Sequence, residues 1–372
     1  MMLPTPLRAL RLNCVLCVQL TKQDARAQRR RKERKGDLET VTALALIIQT
    51  VLTLANSKII FMLEWKGVFP ALTTPFTAND ELDLPMFEKS LNAQLQAGVH
   101  GVIIGGSLGE ASTLATSEKE TLVKLALEKV GDKIPVVLNV AESSTMDALL
   151  QVKFAQQWKV QGLMLLPPMR YKSDDRETVE YFKTIADSTD LPIMIYNNPV
   201  DYKIEVTADM FEQLIDCDNI TAVKESTRDV SNVSRMRNRF GDRYKILCGV
   251  DTIAMEELLL GADGWVAGLV NAFPKETVAI YNLTKSRKID DATKIYRWFM
   301  PLLELDIHPK LVQYIKLAAT QTGLSTEHVR APRLRLAGEE RERILKIIND
   351  GIAAHSSIEG LLDSHKKTAL YA

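Results

Sequence analysis

The chain has 372 residues, 46% of them hydrophobic and 25% charged, and its 47 basic and 47 acidic side chains cancel. That composition is typical of a soluble globular protein, and the charge balance gives no electrostatic case for nucleic acid or an anionic membrane surface as partner. Four cysteines in so long a chain make no disulfide framework, and five scattered histidines without an H-x-x-x-H or His/Cys cluster argue against a metal site.

Residues 1–61 differ in character from the rest. A basic run, RRRKERK (29–35), precedes an apolar run, TALALIIQTVLTLA (42–55), interrupted by Gln49. A membrane span needs about 20 apolar residues, so this run is too short. Cys14 and Cys17 form a lone C-x-x-C with no partner pair. A targeting or anchoring segment, a disordered tail and translated upstream sequence compete here. The last is preferred, because Met62 opens MLEWKGVFPALTTPF, where a compact domain would begin.

From Trp65 a rhythm sets in. Short apolar runs at 68–73, 101–105, 135–140, 162–166, 192–196, 220–224, 245–249 and 264–268 read as buried strands. Stretches with helical periodicity separate them, among them 84–98, 117–131, 145–158 and 208–217, with Ser, Thr or Asp at their starts. This alternation predicts an α/β fold, a (β/α)8 TIM barrel over 62–286. The alternative, a doubly wound sheet, lacks a G-x-G-x-x-G after the first strand. Helical stretches near 289–305, 309–323 and 338–353 predict a C-terminal helical extension (287–354), and 355–372 reads as a peripheral tail. Cys217 and Cys248 lie alone in the globular part, which fits a reducing, cytoplasmic compartment.

Barrel active sites sit at the C-terminal ends of the strands. Lys224 ends the sixth strand, Tyr196 the fifth, and GGSLGE (105–110) follows the second, so all three should face one pocket. A lysine at a core's rim is ordinarily a snorkelling or ion-paired one. Convergence with Tyr196 and a glycine turn favours instead an amine whose surroundings lower its pKa, able to attack a carbonyl. Taken alone, Tyr196 would be a buried ring with a satisfied hydroxyl, and Gly105, Gly106 and Gly109 a tight turn without a ligand. Glu110 reads as a brace for the loop.

GGSLGE, IYNNP (195–199) and VKEST (223–227), in this order on eight βα units, resemble the dihydrodipicolinate synthase/N-acetylneuraminate lyase superfamily from about Trp65 to the 350s. The resemblance implies that Lys224 forms a Schiff base with a 2-oxo acid and Tyr196 relays protons. It also implies that the turn, with Gly106, Ser107 and Leu108, holds the substrate carboxylate. Two departures stand out. Val200, Asp201 and Tyr202 occupy the neighbourhood where the synthases carry an arginine for a second carboxylate, and Leu108 replaces a hydroxyl. PPMRYK (167–172) replaces a tyrosine pair, with Arg170 and Tyr171 as candidates for part of its role.

WKGVFPALTTPF, GWVAGLVNAFP (264–274), YRWFMPLLELD (296–306) and VRAPRLRLAGEERERI (329–344) are similar to the 1-pyrroline-4-hydroxy-2-carboxylate deaminase branch. By that resemblance the reaction is deamination and dehydration to 2,5-dioxopentanoate in hydroxyproline catabolism. Asp251 and Asn271 are then candidates to bind the substrate hydroxyl or position water. Their alternatives are a helix N-cap and a loop-bracing amide. An aldolase or dehydratase acting on another 2-oxo acid is the alternative within the class. A catalytically silent sensor barrel and a phosphate-binding isomerase are the readings outside it. The expected partner is a small 2-oxo acid or cyclic imino acid, with no cofactor and no metal, and the resemblance implies a homo-oligomer, a dimer or tetramer.

Overall fold

The computed structural model describes residues 63–168 and 171–362. The extension expected over 1–61, with its C-x-x-C, basic run and apolar run, lies outside them, as does Arg170. Among the described residues no helix is long and apolar enough to cross a membrane, and no group of His, Cys, Asp and Glu could hold a metal ion.

Eight parallel strands form the centre: β1 Gly67–Pro70, β2 Val102–Ile104, β3 Val136–Val140, β4 Gly162–Leu165, β5 Ile193–Asn197, β6 Ile220–Glu225, β7 Lys245–Cys248 and β8 Gly264–Ala267. Their order, β1-β8-β7-β6-β5-β4-β3-β2, is that of a barrel. It closes where Ala71 bridges Ile103 and the His100 N–H donates to Val68 O at 2.8 Å. Strands enclosed by helices outside and packed side chains inside are buried on both faces, which is why they read as continuous apolar runs. Every residue of β3, VVLNV, is buried.

The helices between the strands begin where side chains can satisfy free backbone N–H groups. α1 (Leu84–Ala97) starts at Asp83, whose carboxylate accepts from Met86 N at 3.0 Å, and stops at Gly98, in the left-handed region at φ 87°. α2 (Thr116–Val130) and α3 (Thr145–Trp158) follow β2 and β3, and Ser144 caps α3. α4 (Asp175–Ala186) opens with a reciprocal pair between Asp174 and Glu177. After β5 come the single turn α5 (Pro199–Tyr202) and α6 (Ala208–Gln213). The helix expected to run to 217 ends four residues early, because the Leu214 N–H is shared between Met210 O and Phe211 O and the chain tightens into turns. α7 (Ser231–Phe240), α8 (Ala254–Leu259) and α9 (Pro274–Lys285) complete the barrel.

α10 (Ile289–Leu303), α11 (Leu311–Gln321) and α12 (Gly338–Ala353) form the C-terminal extension. It packs into the barrel's own core through Phe299, Leu302, Val312 and Ile315, all buried. The first residues of the expected peripheral tail also dock: Ile358 is buried, and His355 pairs with Glu276 at 2.6 Å.

Candidate active site

The register of β5 and β6 sets Tyr196 directly beside Lys224, on the same face of the sheet. Both side chains point into a pocket at the C-terminal end of the barrel, which Ser107, Leu108, Asp201, Ser226, Arg228 and Asp306 also line. Lys224 is buried, and its Nζ lies 3.9 Å from the centre of the Tyr196 ring, over its face. Gly249, at the end of β7, leaves room for the lysine: a Cβ there would stand 2.7 Å from Lys224 Cε. Burial lowers the amine's pKa, opposed by the charges of Asp306, Tyr202 and Asp251.

Tyr196 is buried, and its hydroxyl accepts from Asn198 Nδ2 at 3.0 Å. Burial raises its pKa, so the phenol holds its proton at rest. Asn198 performs three tasks: it begins α5, donates to Tyr196 and donates to Asp201 Oδ2 at 2.8 Å. The short α5 thereby places Asp201 in the pocket lining and Tyr202 against two lining residues, Tyr196 and Ser107. Tyr202 stands edge-on to Tyr196, ring centres 5.6 Å apart, and its hydroxyl bonds that of Ser107. The loop after β5 thus brings a second hydroxyl to the glycine turn.

The glycine turn after β2 is shaped from behind. Gly105 takes φ 70°, and its carbonyl accepts from Asn139 Nδ2 at 2.9 Å. Among the described residues nothing accepts from the backbone N–H groups of Ser107 and Leu108, which leaves them for an anion. Glu110 does brace this turn. It is fully buried, receives Lys316 Nζ at 2.8 Å and the Arg330 N–H at 3.1 Å, and so ties the turn to α11.

Asp251 and Asn271, expected to meet the substrate, stand outside the pocket lining. The Asp251 carboxylate accepts from Trp265 Nε1 at 2.9 Å, Gly268 N at 3.1 Å and Leu269 N at 2.7 Å, which uses up its oxygens in holding the loop after β8. Asn271 accepts from Thr73 N at 3.0 Å and donates to Ala71 O and Gly268 O, both at 2.8 Å, knitting β1 to the same loop. Buried polar groups must find partners, and strand position alone does not say whether the partner is ligand or backbone. Tyr171 is 56% exposed and stands outside the pocket lining.

Three pocket residues were not singled out from sequence. Ser226 Oγ is buried with no hydrogen-bond partner among the described residues. Arg228, exposed and in the left-handed region at φ 66°, reaches the pocket and makes no ion pair with a described residue. The spacing Lys224-x-Ser226-x-Arg228 along one strand end was a usable signal for both. Asp306 arrives from the C-terminal extension, and no spacing rule within the barrel could have found it.

The profile of the Dihydrodipicolinate synthetase family matches residues 64–350. The chain is 32% identical over 275 residues to the 4-hydroxy-tetrahydrodipicolinate synthase of Exiguobacterium sibiricum, covering 73% of this chain and 92% of that protein. It is 30% identical over 297 residues to an uncharacterised DapA-like lyase of Rhizobium meliloti, covering 76% and 96%. Its fold is similar to that of the 4-hydroxy-tetrahydrodipicolinate synthase from the thermoacidophilic methanotroph Methylacidiphilum fumariolicum SolV, with a TM-score of 0.74 and 27% identity over 80% of this chain and 99% of that one. With eight βα units, a lysine and a tyrosine paired at the strand ends and a family match across the whole barrel, the chain belongs to the dihydrodipicolinate synthetase family.

Proposed function

We propose that the protein is a lyase that forms a lysine Schiff base with a 2-oxo acid and acts as an aldolase or dehydratase. The observation that carries this reading is Lys224 itself, a buried amine of lowered pKa held over Tyr196 in the barrel mouth. An amine with an ordinary pKa of about 10.4 is almost wholly protonated at neutral pH, and desolvation raises its neutral, nucleophilic fraction.

The neutral amine adds to C2 of the 2-oxo acid while the substrate carboxylate lies against the free amides of Ser107 and Leu108. Tyr196 gives its phenolic proton to the departing C2 hydroxyl, water leaves and an iminium remains. The resulting phenolate is stabilised by the Asn198 N–H and by the adjacent cation. It then takes a proton from C3, and the C3–H electrons flow to the iminium to give an enamine. Tyr202 and Ser107 carry protons between this pair and the mouth of the pocket.

Two readings of the substrate follow. The relatives named above favour a 2-oxo acid reaction of the synthase kind, and Arg228 offers a cation for a second carboxylate, from the loop after β6 instead of from the loop after Tyr196. The second reading, a cyclic 4-hydroxy imino acid opened and dehydrated with loss of ammonia, is favoured by Asp201, an acid near the place where a synthase carries its arginine. In either case we propose a cytoplasmic homo-oligomer, checked by light scattering at micromolar concentration.

Borohydride reduction with pyruvate, followed by peptide mass spectrometry, tests the common step. An adduct of one pyruvyl group on Lys224, absent in Lys224→Ala, is expected. A folded wild-type protein without an adduct would remove the Schiff-base reading. Ammonia from 1-pyrroline-4-hydroxy-2-carboxylate then separates the two substrates.

A further inference from the structure

The lining of the Lys224 pocket contains two carboxyl groups, Asp201 and Asp306. Asp201 is occupied by Asn198 Nδ2, and Asp251, close by, has both oxygens taken by N–H donors. Asp306 is different. It sits in the turn Glu304–Ile307 between α10 and α11, and its Oδ2 receives one long bond, from the Asp251 N–H at 3.5 Å. Among the described residues nothing donates to its Oδ1. That oxygen lies against Gly268, where a Cβ would overlap the carboxyl group. The glycine at the end of β8 therefore makes the space through which a C-terminal residue enters the barrel mouth.

Burial and the neighbouring Asp251 and Asp201 raise the pKa of Asp306 well above the carboxylate range, against the pull of Lys224. A carboxyl group in the pocket lining, with one oxygen free of protein donors and surroundings that favour its protonated form, is equipped as an acid.

We infer that Asp306 is the proton donor to a leaving oxygen on substrate C4, so that the site eliminates water from C4 instead of splitting the C3–C4 bond. The inference rests on the Schiff-base reading of Lys224. In the enamine, the nitrogen lone pair re-forms C2=N, the C2=C3 pair moves to make C3=C4, and the C4–O bond breaks with its electrons on oxygen. Asp306 gives its proton to that oxygen, water departs and Asp306 is left as a carboxylate, reprotonated from solvent at the pocket mouth. Cleavage of C3–C4 would require the opposite, a base to take the C4 hydroxyl proton. Asp306 is thus both a catalytic acid and the residue that chooses between two fates of one enamine.

The test uses the full chain, wild type and Asp306→Asn, with three probes. Pyruvate in heavy water reports enamine formation through exchange of its C3 protons. 4-Hydroxy-2-oxobutanoate reports elimination, read as the conjugated enone, against cleavage, read as formaldehyde. 4-Fluoro-2-oxobutanoate loses fluoride, a leaving group that needs no proton. Wild type is expected to form enone and little formaldehyde. Asp306→Asn should lower enone formation by about 100-fold or more, the size of a general-acid contribution. Within the variant, the enone rate should fall far more than pyruvate exchange or fluoride release, because neither of those steps takes a proton from Asp306. Formaldehyde as the main wild-type product, no turnover of the hydroxy probe, an unchanged enone rate in the variant, or equal loss of all three activities would each overturn the role. If wild-type protein fails to trap pyruvate with borohydride, the Schiff-base reading falls first. If trapping succeeds, only the role of Asp306 is at stake.

Discussion

Glu257, on α8, is fully buried, and neither of its carboxyl oxygens has a hydrogen-bond partner among the described residues. Burial first, then the charges of Glu225 and Glu256, push its pKa up to about 8, against about 4.3 in an unfolded chain. Between those values the folded protein keeps a proton that the unfolded chain has lost. Stability therefore falls as pH rises from about 4.5 to 8 and levels off above. The contribution is on the order of a few kcal/mol. Glu257→Gln keeps the shape and removes the titration. In urea unfolding at pH 5.5 and 8.5, the wild type should lose markedly more stability than the variant over that interval. Equal losses would mean that Glu257 ionises normally.

Lys316 and Glu110, both at 0% side-chain exposure, join α11 to the glycine turn after β2. Glu110 occupies the left-handed region at φ 55°, a conformation that a non-glycine residue keeps only when its surroundings hold it. A buried pair contributes little relative to an apolar replacement of both partners, but losing one partner strands the other charge. Lys316→Met should therefore cost about 3–5 kcal/mol in denaturant unfolding. Restoring neutrality with Glu110→Gln should recover part of that loss. If the turn carries the substrate carboxylate, the single variant should also raise KM for pyruvate trapping. A change below about 1 kcal/mol would mean that the Arg330 N–H and the Arg333 guanidinium, 3.9 Å from Glu110 Oε2, suffice to hold Glu110.

At the scale of the molecule, the C-terminal helices are part of the barrel's core. Phe299, Leu302, Leu303, Val312, Ile315 and Leu317 are all buried. Without them the barrel side chains they cover would meet water, at roughly 1.5–3 kcal/mol for each large apolar one, against a typical stability of about 5–15 kcal/mol. A chain of residues 62–286 is accordingly expected to show no cooperative thermal transition by circular dichroism and to trap no pyruvate. A sharp transition with trapping retained would make the extension dispensable.

The barrel was legible in the chain because its strands are buried on both faces and its helices on one, and each condition leaves its own period in the residues. Lys224, Tyr196 and the glycine turn were legible for a related reason: strand ends in a barrel converge, so position along a strand translates directly into place in the pocket. Strand position does not distinguish Asp251 and Asn271 from these residues. They too follow strand ends, yet backbone N–H and C=O groups of neighbouring loops claim their polar atoms, a competition that only three-dimensional neighbours decide. Tyr202 reaches Ser107 across a separation of 95 residues, and Asp306 reaches Asp251 across 55. Local sequence determined which residues form each βα unit and where each unit's open end lies. The close packing of separate segments in one tertiary structure decided which hydroxyl meets Ser107 and which C-terminal acid lines the pocket.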